Sequence, residues 1–338
     1  MSSTAGQRVH GGTDGLGAAP YDFSTNSHPA GPCPQALAAV QAADATRYPD
    51  PAYTRLRAAL VAFHGVVPGR IVLASSASEF IFRLSAWVAR QGGRHVHVPA
   101  HAYGDYLHGA QAWGLEPVAS PDAADLVWAC EPSSPLGQAH TDWPRRLDHP
   151  QAPLLALDCA YAPLRLQGQP TLGTAQLERV WRLYSPNKSL GLTGVRAAYA
   201  VAPADAQPAA AALDALAPSW VIGAHGEAML RAWTEPGVQQ WLQASLDPLR
   251  QWKARQLELL QGLGWDCQPS DSHYFCARTP QALDLGALRA AGIKLRDATS
   301  FGLPGWYRLG TLPPQAQDAL AAAWRAQGGD NTHPPVPV

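Results

Sequence analysis

Residues 184–199 read YSPNKSLGLTGVRAAY. Lys188 closes an apolar run, LERVWRLY, in a chain where only 15% of residues are charged. Ser185 lies three positions before it, a Gly-Leu-Thr-Gly turn (191–194) follows, and Arg196 comes eight positions later. A solvated surface lysine needs none of this setting. A lysine that bonds covalently to a phosphorylated cofactor needs most of it.

Around this segment, short apolar runs alternate with helical patterns. IVLA (71–74), HVHVPA (95–100), ADLVWAC (124–130), PLLALDCAY (153–161) and RVWRLYS (179–185) read as buried strands. SEFIFRLSAWVARQG (78–92) and YGDYLHGAQAWG (103–114) read as helices between them. Such alternation predicts an α/β fold with a mostly parallel sheet flanked by helices. PQALAAVQAADATRYP starts helical and is expected to break at Pro49, and TRLRAALVAFHG is a helix ended by Gly65. The expected organisation is an N-terminal arm over 1–35, a large α/β domain over 36–220 and a long helical segment over 221–262. A small α+β C-terminal domain over 263–328 and a frayed tail over 329–338 complete it.

The chain has 338 residues, room for about two domains. Its net charge of −1 and pI near 6.9 give no basic field for nucleic acid. No run of 18 apolar residues exists and the opening residues lack a signal-peptide core, so a cytoplasmic protein without a membrane span is expected. The five cysteines are scattered and odd in number, which suggests reduced thiols and no metal site.

Candidate site residues fall at the expected strand ends, where ligands of such sheets bind. In LASSASEF, the small residues Ser76, Ala77 and Ser78 open a helix whose free amides suit a phosphate, although an ordinary serine cap reads the same way. Asp158 ends an apolar run with Tyr161 three residues on, and a buried carboxylate needs a partner. Tyr103, in HAYGDY, is placed either to stack on a flat ring or to fill the core. Arg308, in WYRLGT, is a guanidinium inside an apolar run and calls for an anion; Arg296, in IKLRDA, is similar but has Asp297 beside it.

In this order along the chain, SPNKSLGLTGVR, DCAY and the elements above resemble the fold-type I pyridoxal-phosphate enzymes of the class I/II aminotransferase group. The resemblance runs from about residue 10 to 325. It implies that Lys188 bonds to the cofactor aldehyde, that Asp158 holds the pyridine nitrogen protonated, that Tyr161 donates to the ring oxygen and that Tyr103 stacks on the ring. It implies that Ser76, Ala77, Ser78, Ser185 and Arg196 hold the phosphate of pyridoxal 5'-phosphate. Tyr48, in RYPDP, matches a tyrosine that reaches the neighbouring subunit's site, so a homodimer is implied. Arg308 would grip a substrate carboxylate. One departure stands out: where the family has Asn-Pro-x-Asn-Pro-x-Gly, this chain has Glu131-Pro132-Ser133-Ser134-Pro135-Leu136-Gly137. Ser134 is shorter than the family's asparagine and would reach the ring oxygen through a bridging water.

The nearest subfamilies are histidinol-phosphate aminotransferases and threonine-phosphate decarboxylases. HGGTD (10–14) followed by DFSTNSHPAGP (22–32) resembles the decarboxylase opening, which implies that His10, Gly11 and Asn26, with Arg296, face a substrate phosphate. The leading expectation is therefore a threonine-phosphate decarboxylase of cobalamin synthesis acting on a small phosphorylated amino acid. An aminotransferase of histidinol-phosphate type is the second, and a PLP-fold binding protein without catalysis the third.

Overall fold

The structure, a computed structural model, describes residues 10–145, 147 and 152–329. Residues 330–338 of the tail expected over 329–338, and the start of the arm, lie outside these residues. Strands β1 (Tyr21–Asp22), β2 (Ile71–Ala74), β3 (His95–His97), β4 (Glu116–Pro117), β5 (Leu126–Cys130), β6 (Leu154–Asp158), β7 (Trp181–Tyr184) and β8 (Ala198–Val201) are followed by five C-terminal ones. These are β9 (Asp266–Cys267), β10 (Tyr274–Arg278), β11 (Ile293–Lys294), β12 (Arg296–Asp297) and β13 (Tyr307–Gly310). Among the described residues the main sheet has seven strands in the order β2-β8-β7-β6-β5-β3-β4. All pairings are parallel except the two made by β8.

The apolar runs form strands because helices cover both faces. IVLA and LVWAC are buried at every position, as expected of strands with no wet face. On one face lie Phe80, Ile81 and Leu84 of helix α3, with Tyr106 and Trp128; on the other lie Leu56, Leu60, Tyr199 and Trp233. The helices are α1 (Pro34–Gln41), α2 (Thr54–His64), α3 (Ala77–Arg90), α4 (Gly104–Ala112), α5 (Thr174–Leu177), α6 (Gln207–Ala215), α7 (Ala224–Trp233), α8 (Pro236–Gly262), α9 (Leu285–Ala290) and α10 (Pro314–Ala326). Gly65 ends α2 in the left-handed conformation, as expected. The break expected at Pro49 comes earlier: α1 stops at Gln41, and the Asp44 carboxylate then captures the Thr46 amide in a turn.

A second core gathers Phe23, Trp265, Phe275, Leu309 and Trp324 around the four-stranded sheet β12-β13-β10-β9. The arm is part of this core rather than a cover for it. β1 pairs in parallel with β11, Phe23 is fully buried, and the Gly310 amide donates to the Phe23 carbonyl.

Candidate active site

The carboxyl ends of β2, β5, β6 and β7 converge, and each delivers a polar segment. At the end of β7, Lys188 Nζ donates to Ser185 Oγ at 3.3 Å and lies 5.6 Å from the centre of the Tyr161 ring. At the end of β6, Asp158 is 5% exposed, its Oδ2 accepting from the Tyr106 hydroxyl at 2.7 Å and its Oδ1 from the Ala160 amide at 2.8 Å. Burial pushes this carboxyl upward, while the Lys188 charge and the two hydrogen bonds pull it back.

At the end of β2, Ser76 caps α3 by accepting from the Glu79 amide at 3.1 Å. The cap reading is therefore realised, and it leaves the first-turn amides of Ala77 and Ser78 without intrahelical partners. Ser78 Oγ lies 3.0 Å from the Tyr103 hydroxyl, which donates to Asp105 Oδ2 at 2.7 Å. Burial raises the Tyr103 phenol, so it stays protonated.

The arm and the four-stranded sheet close the site. Arg308 donates through Nη1 to Ser134 Oγ at 3.2 Å and through Nη2 to the Ser24 carbonyl at 2.9 Å. Ser134 is thus engaged by the arginine rather than standing open. Arg308 and Arg296 both pack on Phe301, at 5.6 and 4.8 Å. Arg296 donates to the Asp297 backbone carbonyl and to Ser300 Oγ. Burial, and then the Arg308 charge, lower the Arg296 guanidinium to about 10.

Asn26 is 4% exposed, with neither side-chain polar atom partnered among the described residues. Its carbonyl lies 3.0 Å from His273 Nε2, and two residues on, the His28 amide donates to the Lys188 carbonyl at 2.9 Å. Gly11 packs where a Cβ would stand 2.0 Å from the Ser24 oxygen, so only glycine fits. His10 sits 6.5 Å from the Tyr103 ring.

Two expected residues are exposed in the single chain. Arg196 is exposed. Tyr48 is 77% exposed and stacks on Trp220 at 4.4 Å. Sequence reading missed Tyr106, whose only signal is its place three residues after Tyr103 on one helix face. It also missed Phe301 and His28.

The family model for aminotransferase class I and II matches residues 15–323. The chain belongs to that family. Its cofactor is pyridoxal 5'-phosphate, and its fold is that of the fold-type I enzymes. The histidinol-phosphate aminotransferase of Symbiobacterium thermophilum is 28% identical over 91% of this chain and 90% of its own length. Among solved structures, the histidinol-phosphate aminotransferase of Sinorhizobium meliloti in complex with pyridoxal-5'-phosphate superposes with a TM-score of 0.70 at 22% identity, covering 90% of each chain. L-threonine-O-3-phosphate decarboxylase of Porphyromonas gingivalis superposes with a TM-score of 0.72 at 20% identity, over 90% of this chain and 98% of that one. Membership of an aminotransferase family favours an enzyme over the third reading, a binding protein without catalysis.

The residues present fit the cofactor. Hydroxyls and unpartnered first-turn amides suit a phosphate, a buried carboxylate suits a protonated ring nitrogen, and the Lys188 amine suits an aldehyde. Among the described residues no group of histidine, cysteine and acidic side chains could hold a metal ion, and no helix is long and apolar enough to cross a membrane.

Proposed function

We propose that the protein is a transaminase acting on phosphorylated amino substrates of the histidinol-phosphate type. The observation that carries this reading is the pair of buried arginines, Arg308 and Arg296, on one ring beside the site. Two guanidiniums side by side suit a phosphate or a carboxylate through charge-assisted bonds. The relatives matched over nearly the whole chain favour transamination over the decarboxylation that the arm suggested.

When bound, pyridoxal phosphate supplies an electron sink; the rest of the chemistry belongs to this chain. Lys188 would hold the cofactor covalently, and its amine would move the proton at the substrate carbon bearing the amino group. Asp158 would hold the ring nitrogen protonated, Tyr161 would donate to the ring oxygen and Tyr103 would cover the ring. Ser76, Ala77, Ser78, Ser185 and Arg196 bind the phosphate. Arg308 and Ser134 orient one anionic group of the substrate. Asn26, Gly11, His10 and Arg296 receive the distal part. Exposed Tyr48 serves the site of a second copy, which makes the working form a homodimer, and the compartment is the cytoplasm.

A second reading, decarboxylation of O-phospho-L-threonine, draws on the same arm, since Gly11, Asn26 and Arg308 meet at Ser24–Asn26. Cofactor-loaded protein separates the two. Transamination predicts stoichiometric 2-oxoglutarate from L-glutamate alone, and glutamate from histidinol phosphate plus 2-oxoglutarate. Release of CO2 from O-phospho-L-threonine with no 2-oxoglutarate from glutamate would overturn it.

A further inference from the structure

Behind the loop that carries Ser134 lies a partly buried ion network. Glu131, 4% exposed, stands immediately after β5. Its Oε1 accepts from Arg165 Nη2 at 2.8 Å and from the Thr171 amide at 2.9 Å, and its Oε2 accepts from the Thr171 hydroxyl. The other arm of the same guanidinium, Arg165 Nη1, donates to Asp271 Oδ2 at 3.2 Å. Asp271 lies between β9 and β10 of the smaller sheet, two residues before His273 and three before Tyr274, which opens β10.

Backbone bonds run beside this bridge. The Leu166 amide donates to the Asp271 carbonyl at 2.6 Å, and the Asp271 amide donates to the Gly137 carbonyl at 2.7 Å. The Tyr274 hydroxyl donates to the Ser133 carbonyl at 2.7 Å. Three segments far apart in sequence therefore meet on the 131–137 loop. The charges alternate along the bridge, so buried Glu131 and half-buried Arg165 and Asp271 each have a counterion. None of the three charged side chains is bonded to Arg308 or Lys188. What the loop presents to the site is Ser134, bonded to Arg308.

We propose that Glu131, Arg165 and Asp271 are positioning residues that fix the Ser134 loop against the smaller sheet and so set the grip of Arg308 on an anionic substrate group. The proposal rests on the proposed function only in taking Arg308 as the anion-binding arginine. A bidentate guanidinium loses affinity when its partner loop shifts, because charge-assisted bonds depend on alignment. Lys188, Asp158 and Tyr161, which carry the main ring roles, form no side-chain hydrogen bond to Glu131, Arg165 or Asp271.

The test is calorimetric titration of the cofactor-loaded protein with succinate, an unreactive dicarboxylate, alongside turnover of L-glutamate. Glu131→Gln and Arg165→Met are expected to weaken succinate about tenfold, the scale of one charge-assisted hydrogen bond. They should raise KM for glutamate in parallel, with kcat and the visible absorption of the bound cofactor nearly unchanged. Thr171→Val, a milder change, should move succinate binding the same way by less, and stands in if the charged variants fail to fold. Glu178→Gln provides the control for stability alone. It breaks the ion cluster with Arg70 and Arg182 around α5 and β7, and should leave succinate binding unchanged. The proposal is overturned if the folded Glu131, Arg165 and Thr171 variants bind succinate like the parent, if Glu178→Gln weakens it equally, or if the parent does not bind succinate. Succinate binding without 2-oxoglutarate formation would instead refute transamination alone.

Discussion

The Tyr106 hydroxyl donates to Asp158 Oδ2 at 2.7 Å, and the tyrosine ring stacks on Trp128 at 4.9 Å with only 7° between planes. The carboxylate at the end of β6 is therefore aimed by a fully buried side chain from α4. Tyr106→Phe removes the donor, leaves a buried acceptor unsatisfied at a cost of about 1–3 kcal/mol, and lets burial raise the Asp158 carboxyl further. A protonated Asp158 is a poorer partner for a cationic ring nitrogen. The expected result is a lower melting temperature together with weaker cofactor retention, read by absorbance after dialysis.

Lys188 is the covalent anchor in the proposed chemistry. Borohydride treatment of the cofactor-loaded protein should fix a mass adduct on the peptide containing Lys188. Lys188→Ala should show no adduct and no turnover. An adduct on another lysine would remove the assignment.

Arg308 bonds Ser134 and the Ser24 carbonyl at once through two nitrogens. Lysine is a point donor and cannot reproduce that fork. Arg308→Lys is expected to raise KM for anionic substrates about 10- to 100-fold, with a smaller effect on kcat. Steady-state kinetics with glutamate would measure both.

Gly137 has φ of +73°, and a Cβ there would lie 2.0 Å from Ser270 Oγ, which is itself bonded to the Tyr274 carbonyl. Gly137→Ala should cost more than about 2 kcal/mol from strain and crowding together. Adding Ser270→Ala should recover only the crowding part. Urea midpoints of the parent and the two variants would resolve the two contributions.

Three histidines, His28 and His273 buried and His64 half-buried, are held neutral by desolvation, His28 and His64 lowered to about 4 and His273 to about 3. The unfolded chain takes up their protons near pH 6.5, so between that pH and the folded values it binds more protons than the folded chain. Stability therefore falls as pH drops from about 6.5 towards 4, by up to about 1.4 kcal/mol per pH unit for each histidine. Melting curves across this window should show the loss, and His28→Asn should make it shallower.

The local sequence carried the fold and much of the site. Apolar runs too short for helices, separated by periodic helical stretches, dictated a parallel sheet because such strands must be covered on both faces. The residues at their carboxyl ends, Ser76 to Ser78, Asp158, Tyr161, Ser185 and Lys188, could be read directly, since chemistry collects where the chain leaves the sheet. The extent of α1 could not be read so well, because a single aspartate turn ended it before any proline.

Tertiary structure decided what links those residues. Ser134 meets Arg308 across 174 positions, and the Lys188 carbonyl is held by an amide of the arm. Tyr106 aims Asp158 from a neighbouring helix, and Glu131 reaches Asp271 only through Arg165. None of these pairs leaves a local pattern, because each exists only once packing brings distant segments within about 3 Å of each other. The choice between transamination and decarboxylation has the same origin. It turns on how Arg308, Arg296 and the arm orient one bond of the substrate, a placement set by the packed structure.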